Sequence, residues 1–373
     1  MAETNKARRY TSGLKAGVAA LALGLTLTAA SAQDQPVPLK LDVDGTVHVP
    51  AMAVPLSEFS TPEAKAYMAD HLRDMQNPPK LVQDQGVPRF MKPYIERLHT
   101  LYPVDRQDTS VAGVHTYIYT PKTGIAAKNE KRVLINLHGG GFQGCFPGCA
   151  EAESIPVAAL GQIKVVSIDY RQAPKAQFPA ASEDVAAVYR ELLKTYRPEN
   201  IGIYGCSAGG RLTGMSLAWF QKHGLPRPAA AGVFCAGLMN PPGGFGGDAS
   251  YMSTPLGEGM PPRAPTPGFR NNKKGMPMNY YLAAANLSDP LVSPAMSAEV
   301  LAKFPPTLVI TGTRGFELSN AVYSHSQLVK AGVEADLHVW EGMFHGFFYN
   351  PDVPESRDCY DVIVKFFDRH LGQ

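Results

Sequence analysis

The chain has 373 residues, 45% of them hydrophobic and 18% charged, with a formal net charge of +2 at pH 7. That apolar content excludes a disordered chain and is ample for one large core. The length allows two domains, but a single α/β domain carrying a lid accounts for it as well, and 35 Gly with 32 Pro imply many loops.

Lys6, Arg8, Arg9 and Lys15 precede the apolar run Ala16–Ala30, and Ala30-Ser31-Ala32 has the small-residue pattern of a cleavage site. A signal peptide over 1–32, cut after Ala32, is expected, and with it a periplasmic or secreted protein. A membrane anchor is disfavoured, because the run is shorter than the ~20 residues a spanning helix needs. Twin-arginine export is disfavoured too, because Thr11, Ser12 and Gly13 follow the Arg8-Arg9 pair. Cleavage removes three net positive charges and leaves the mature chain at −1. No basic surplus remains for nucleic acid or anionic lipid.

Residues 33–110 read as an N-terminal arm followed by cap helices. Ser60 or Thr61 can cap a helix whose first turn holds Pro62 and Glu63. "PRFMKPYIERLHTLYP" suggests a second short helix interrupted by prolines, and "VHTYIYTP" alternates as a strand. From 111 to 373 strands and helices alternate. Strands are expected in "RVLINL", "KVVSIDYR", "IGIYGC", "AAGVFCAG", "PPTLVITGT" and "ADLHVWEG". Helices are expected in "PAASEDVAAVYRELLKTY", "RLTGMSLAWFQKHG", "SNAVYSHSQLVKAG" and "ESRDCYDVIVKFFDRHL". The order implies an α/β fold: a mostly parallel sheet with helices on both faces. Residues 240–284 break the rhythm and read as a cap or lid insertion. The lid's Met252, Met260, Met276 and Met278, with Phe142 and Phe146, suit an apolar pocket or plain cap packing.

Export implies an oxidising compartment. Of the five cysteines, Cys145 and Cys149 are close enough to bridge, but two separate buried thiols are the favoured reading. Without a second cysteine pair the evidence for zinc is weak, and neither a metal nor a cofactor is expected.

Gly205-Cys206-Ser207-Ala208-Gly209 matches G-x-S-x-G and lies between an apolar strand and a helix, the context that lifts a nucleophilic serine above the sheet. His138-Gly139-Gly140-Gly141-Phe142 follows another strand. Its side-chain-free backbone can bring N–H groups to a tetrahedral oxyanion, each donor contributing roughly 3 kcal/mol. Gly139, Gly140 and Ala208 are the expected donors, and His138 a structural loop residue. His345 follows the last strand and is the expected base; His338 falls in that strand, and His325 and His370 in helices.

"HGGGF", "VVSIDYRQAP", "FPAA", "GCSAGG", "SDPLVSP" and "EGMFHGF" together resemble the hormone-sensitive-lipase-like family of α/β-hydrolase esterases. The resemblance implies an eight-stranded sheet under a helical cap and ester hydrolysis without a cofactor. It implies structural roles for Asp169, Tyr170, Arg171 and Asp289. Two positions depart from the pattern. Cys206 stands where the family usually has an acid, and reads as a buried filler. Gly315 stands in the slot of the catalytic aspartate. Glu317, two residues on, is the nearest substitute, weighed against a solvated glutamate in a helix's first turn. Gly315→Asp is expected to raise p-nitrophenyl acetate turnover, and if Glu317 already serves, Glu317→Gln should cripple it.

The expected activity is a serine carboxylesterase for short- to medium-chain esters, working through an acyl-serine. The alternatives are a weak or inactive hydrolase-fold binding protein, or an acyltransferase or amidase using the same serine. The expected partner is a small ester, with no nucleic acid, no stable membrane span after signal cleavage, and a homodimer left open.

Overall fold

The structure is a computed structural model that describes residues 40–45, 47–48, 53–76, 83–84, 86–240, 247, 249–250 and 280–372. The expected signal peptide, most of the insertion and its four methionines lie outside the described residues. The chain divides into two compact units, Met1–Val54 and Pro55–Gln373. In the first, Lys40–Leu41 pairs antiparallel with Val47–His48.

The second unit is built on an eight-stranded sheet. Its strands are β1 (Val104–Val111), β2 (Val114–Pro121), β3 (Val133–Leu137), β4 (Lys164–Ile168), β5 (Ile201–Cys206), β6 (Ala230–Phe234), β7 (Thr307–Gly312) and β8 (Ala335–Trp340). The spatial order is β8-β7-β6-β5-β3-β4-β2-β1. Pairing is parallel from β8 to β4, and antiparallel where β2 meets β4 and β1 meets β2. The buried central strands are apolar almost throughout, because both of their faces are covered. Alternate residues divide between the faces: Val133, Ile135 and Leu137 join one core cluster and Leu134 the other.

Helices α1 (Pro62–Gln76), α2 (Lys92–Leu101), α3 (Gly148–Gly161), α4 (Ala180–Leu192), α5 (Ala208–Lys222), α6 (Leu318–Lys330) and α7 (Pro354–His370) cover the sheet. Residues of α4, α5 and α6 fill the cluster that contains Ile135, and residues of α2, α3 and α7 fill the one that contains Leu134. In α2 the proline sits in the first turn, where its missing N–H costs nothing. Tyr281, at the end of the expected insertion, is fully buried and stacks on Phe142 at 4.6 Å. Phe142 therefore belongs to the core under the sheet's end.

Among the labelled strands and helices, β1 and α3 had no counterpart in the sequence expectations. Strand β1 begins at Val104, inside the span assigned to the arm and cap, so the sheet starts earlier than position 111. Its residues are mostly exposed and polar, as an edge strand tolerates. Helix α3 is buried nearly all round, so its sequence has no amphipathic period. Cys145 and Cys149, at its start, form a disulfide with Cα atoms 5.3 Å apart. This corrects the preference for two free thiols: Cys145 has φ 77°, and this turn into α3 brings the two side chains together.

Candidate active site

Ser207 lies at the turn from β5 into α5, with φ 59° and ψ −117°. Such a backbone is costly for a residue with a side chain and persists only where its surroundings enforce it. Here the elbow lies against the end of β3: a Cβ on Gly209 would stand 1.7 Å from the Leu137 carbonyl oxygen. The Ser207 N–H donates to the Phe234 carbonyl at 2.8 Å, fastening the elbow to β6. The hydroxyl is thus held at the N-terminal end of α5, where the helix dipole favours developing negative charge.

His345 comes from the loop after β8. Its Nε2 is 2.9 Å from Ser207 Oγ and its Nδ1 is 3.0 Å from a Glu317 carboxylate oxygen. With Nδ1 protonated and donating to the carboxylate, Nε2 is the acceptor that faces the hydroxyl. Phe316 stacks on the imidazole at 4.3 Å, and the Gly346 N–H donates to Cys235 Sγ at 3.3 Å. The first contact limits rotation of the ring, and the second holds the backbone just after it. From α1, His71 stacks on Phe344 at 3.9 Å and Tyr67 lies 4.8 Å from it, so the residue before His345 is braced as well.

Glu317 is 2% exposed and immediately precedes α6. Its other oxygen accepts from the Thr311 hydroxyl at 2.9 Å. Burial alone would raise its pKa, but the charge and hydrogen bond of His345, its own backbone N–H and the Thr311 hydroxyl outweigh that and hold it below the ordinary glutamate value. It is not a solvated first-turn glutamate. Gly315 explains how the carboxylate fits: a Cβ there would lie 2.5 Å from Glu317 Oε1. The expectation that Gly315→Asp would raise turnover is therefore reversed, because the slot is filled by the carboxylate of Glu317.

The glycine loop needs a second correction. The Gly139 N–H donates to Glu153 Oε1 at 2.8 Å and is committed to the interior, which removes Gly139 as an oxyanion donor. Among the described residues, the N–H groups of Gly140, Gly141 and Ala208 have no protein acceptor. His138 is fully buried and stacked on Tyr170, and burial lowers its pKa to about 4. It lies in the interior as a neutral ring. Cys206 is fully buried, and burial pushes its thiol well above the ordinary range. Asp289 accepts from the Leu291 N–H at 2.9 Å in a turn. Arg171 pairs with Asp184 at 2.9 Å, and Asp169 with His115 at 3.0 Å. His338, His325 and His370 lie in β8, α6 and α7.

Glu153 of α3 is the functional-site residue that sequence reasoning missed. It lies in a helix without apolar period, so nothing local marks it, and its partners come from four other segments. One group of metal-donor side chains lies together among the described residues: Cys235, Glu317 and His345, with donor atoms within 4.8 Å of one another. Two of the three already pair in the Ser207–His345–Glu317 array.

An α/β-hydrolase-fold family profile matches residues 134–349. The chain belongs to that family, and within it to the hormone-sensitive-lipase-like group; it is a hydrolase of carboxylic esters. It is 28% identical over 256 residues to an acetyl-hydrolase of Streptomyces hygroscopicus, covering 66% of this chain and 79% of that one. It is also 28% identical to the carboxylesterase/phospholipase LipF of Mycobacterium tuberculosis, over 65% of this chain and 63% of that one. Among solved structures, esterase E25 superposes with a TM-score of 0.69 at 25% identity, covering 87% of this chain and 99% of that one. An esterase of the bacterial hormone-sensitive lipase family gives 0.67 at 26% identity, covering 84% and 99%.

Proposed function

We propose that the protein hydrolyses short- to medium-chain carboxylic esters through an acyl-serine on Ser207. His345 takes the serine proton as the hydroxyl attacks the ester carbonyl and returns it to the leaving alcohol; water then releases the acid by the same route. Glu317 fixes the imidazole tautomer and stabilises its protonated form. Gly140, Gly141 and Ala208 supply the N–H groups for the oxyanion, with Gly141 in the role first assigned to Gly139. The observation that carries this reading is the continuous array Ser207 Oγ–His345–Glu317, with links of 2.9 and 3.0 Å. It argues against a retired scaffold that only binds.

A fluorophosphonate probe should label Ser207, and Ser207→Ala should not be labelled. A wild-type protein that stays unlabelled would overturn the mechanism. A p-nitrophenyl ester series from acetate to palmitate should peak at acetate to octanoate; a peak at palmitate would overturn the acyl range. Export to the periplasm or medium, with cleavage after Ala32, is supported by the leader pattern and by the Cys145–Cys149 disulfide, which suits an oxidising compartment. Intact-mass analysis of the exported protein should find Gln33 at its N-terminus.

A further inference from the structure

Resting on the esterase reading, we propose that Glu153 is a positioning residue whose carboxylate ties the oxyanion loop, the nucleophile elbow and the histidine loop to one another. Its Oε1 accepts from the Gly139 N–H and from the Tyr349 hydroxyl, both at 2.8 Å. Its Oε2 accepts from Asn136 Nδ2 at 2.9 Å and from the Cys206 N–H at 3.2 Å. Gly139 directly precedes Gly140, Cys206 directly precedes Ser207, and Tyr349 ends the 3-10 turn that follows His345. Three loops that carry the reacting groups therefore hang from one carboxylate on α3. Asn136 is itself held, accepting from Ser167 Oγ at 2.7 Å.

All four partners are donors, and only an ionised carboxylate accepts from all four. Burial drives the Glu153 carboxyl up to about 7, against the lowering effect of those hydrogen bonds. The titratable groups that face it are Tyr349, Cys206, Tyr204 and Tyr170, each pushed well up by burial and so neutral. Tyr204 donates to Glu153's own carbonyl at 3.0 Å. Protonation of Glu153 turns one acceptor into a donor that its three N–H partners cannot receive; the Tyr349 hydroxyl can receive it only by giving up its own donation. The arrangement loosens on the acid side, in the range where His345 must also be neutral to act.

The test uses the whole protein and the variants Glu153→Gln and Tyr349→Phe. A glutamine presents NH2 to one pair of donors whichever way it is turned. Glu153→Gln should lower kcat by about 10²-fold, the scale for misplacing groups by about 1 Å, with KM unchanged. The acid limb of its pH–kcat profile should follow one ionisation, where the wild type follows two. Tyr349→Phe removes a hydrogen bond that lowers the Glu153 pKa, so its acid limb should move to higher pH; this variant leaves α3 intact and carries the test if Glu153→Gln does not fold. The Gly139 and Cys206 amide protons should titrate near pH 7 by NMR in the wild type and stay flat in Glu153→Gln. Wild-type kcat and pH profiles in both variants, or amides that do not titrate, would overturn the proposal. A wild type without ester turnover would instead overturn the esterase reading, while the amide titration still reports on the carboxylate.

Discussion

Gly315 and Glu317 share one small space, and their roles cannot be separated. The carboxylate reaches His345 because position 315 has no side chain; a Cβ there would come within 2.5 Å of Glu317 Oε1. The loop has a glycine at 315 and places the carboxylate of Glu317, two residues on, at Nδ1 of His345. Glu317→Gln should lower kcat by about 10⁴-fold, because the amide no longer stabilises the imidazolium. Steady-state turnover of p-nitrophenyl acetate reads this, and a loss under tenfold would count against Glu317. Gly315→Ala should cost about 10²-fold in kcat by displacing the carboxylate, with stability measured alongside to separate misplacement from unfolding. Gly315→Asp should lose at least as much, since it adds a second charge to the same clash.

At the scale of elements, the site depends on how helices are fastened behind the loops. Thr61 caps α1: its hydroxyl accepts from the Ala64 N–H at 3.2 Å, and its own N–H and O–H donate to Glu355 of α7 at 2.8 Å each. One residue thus closes the helix end and links α1, which braces Phe344, to α7. Thr61→Ala should cost about 1–2 kcal/mol in urea unfolding. The disulfide between Cys145 and Cys149 closes a short loop, with a sequence separation of 4. By the chain-entropy relation its removal in a Cys145→Ser, Cys149→Ser protein should cost only about 2 kcal/mol. The unfolding midpoint of the double variant against that of the oxidised wild type measures it.

For the whole molecule, two fully buried groups make stability depend on pH in opposite senses. Burial lowers His138 from 6.5 to about 4, so its contribution is full above 6.5 and is lost as pH falls toward 4. Burial raises Glu153 from 4.5 to about 7, so its contribution is full below 4.5 and is lost as pH rises toward 7. Between about pH 4.5 and 6.5 the two slopes cancel. Glu153→Gln removes one of them. Relative to the wild type, the variant should lose stability on acidification across this window at about 1.4 kcal/mol per pH unit. Urea midpoints for the two proteins at several pH values give this difference directly, and a difference independent of pH would refute the linkage.

The sequence by itself determined the fold class, the order of most strands and helices, the serine on its elbow and the late histidine. These are written in contiguous residues: apolar runs of strand length, helical periods, and a pentapeptide whose glycines admit a strained turn. It also placed Glu317 as a candidate, though not its burial. Only the tertiary structure decided that Glu317 faces His345, that Gly139 turns its N–H inward, and that Cys145 and Cys149 are joined. It alone showed α3 and its buried Glu153, because a helix covered on all sides carries no period and a carboxylate that serves several loops has its partners scattered along the chain. Patterns within an element are set by its own burial; an acid and the imidazole it supports meet only when the loops after β7 and β8 are carried to the same end of the sheet.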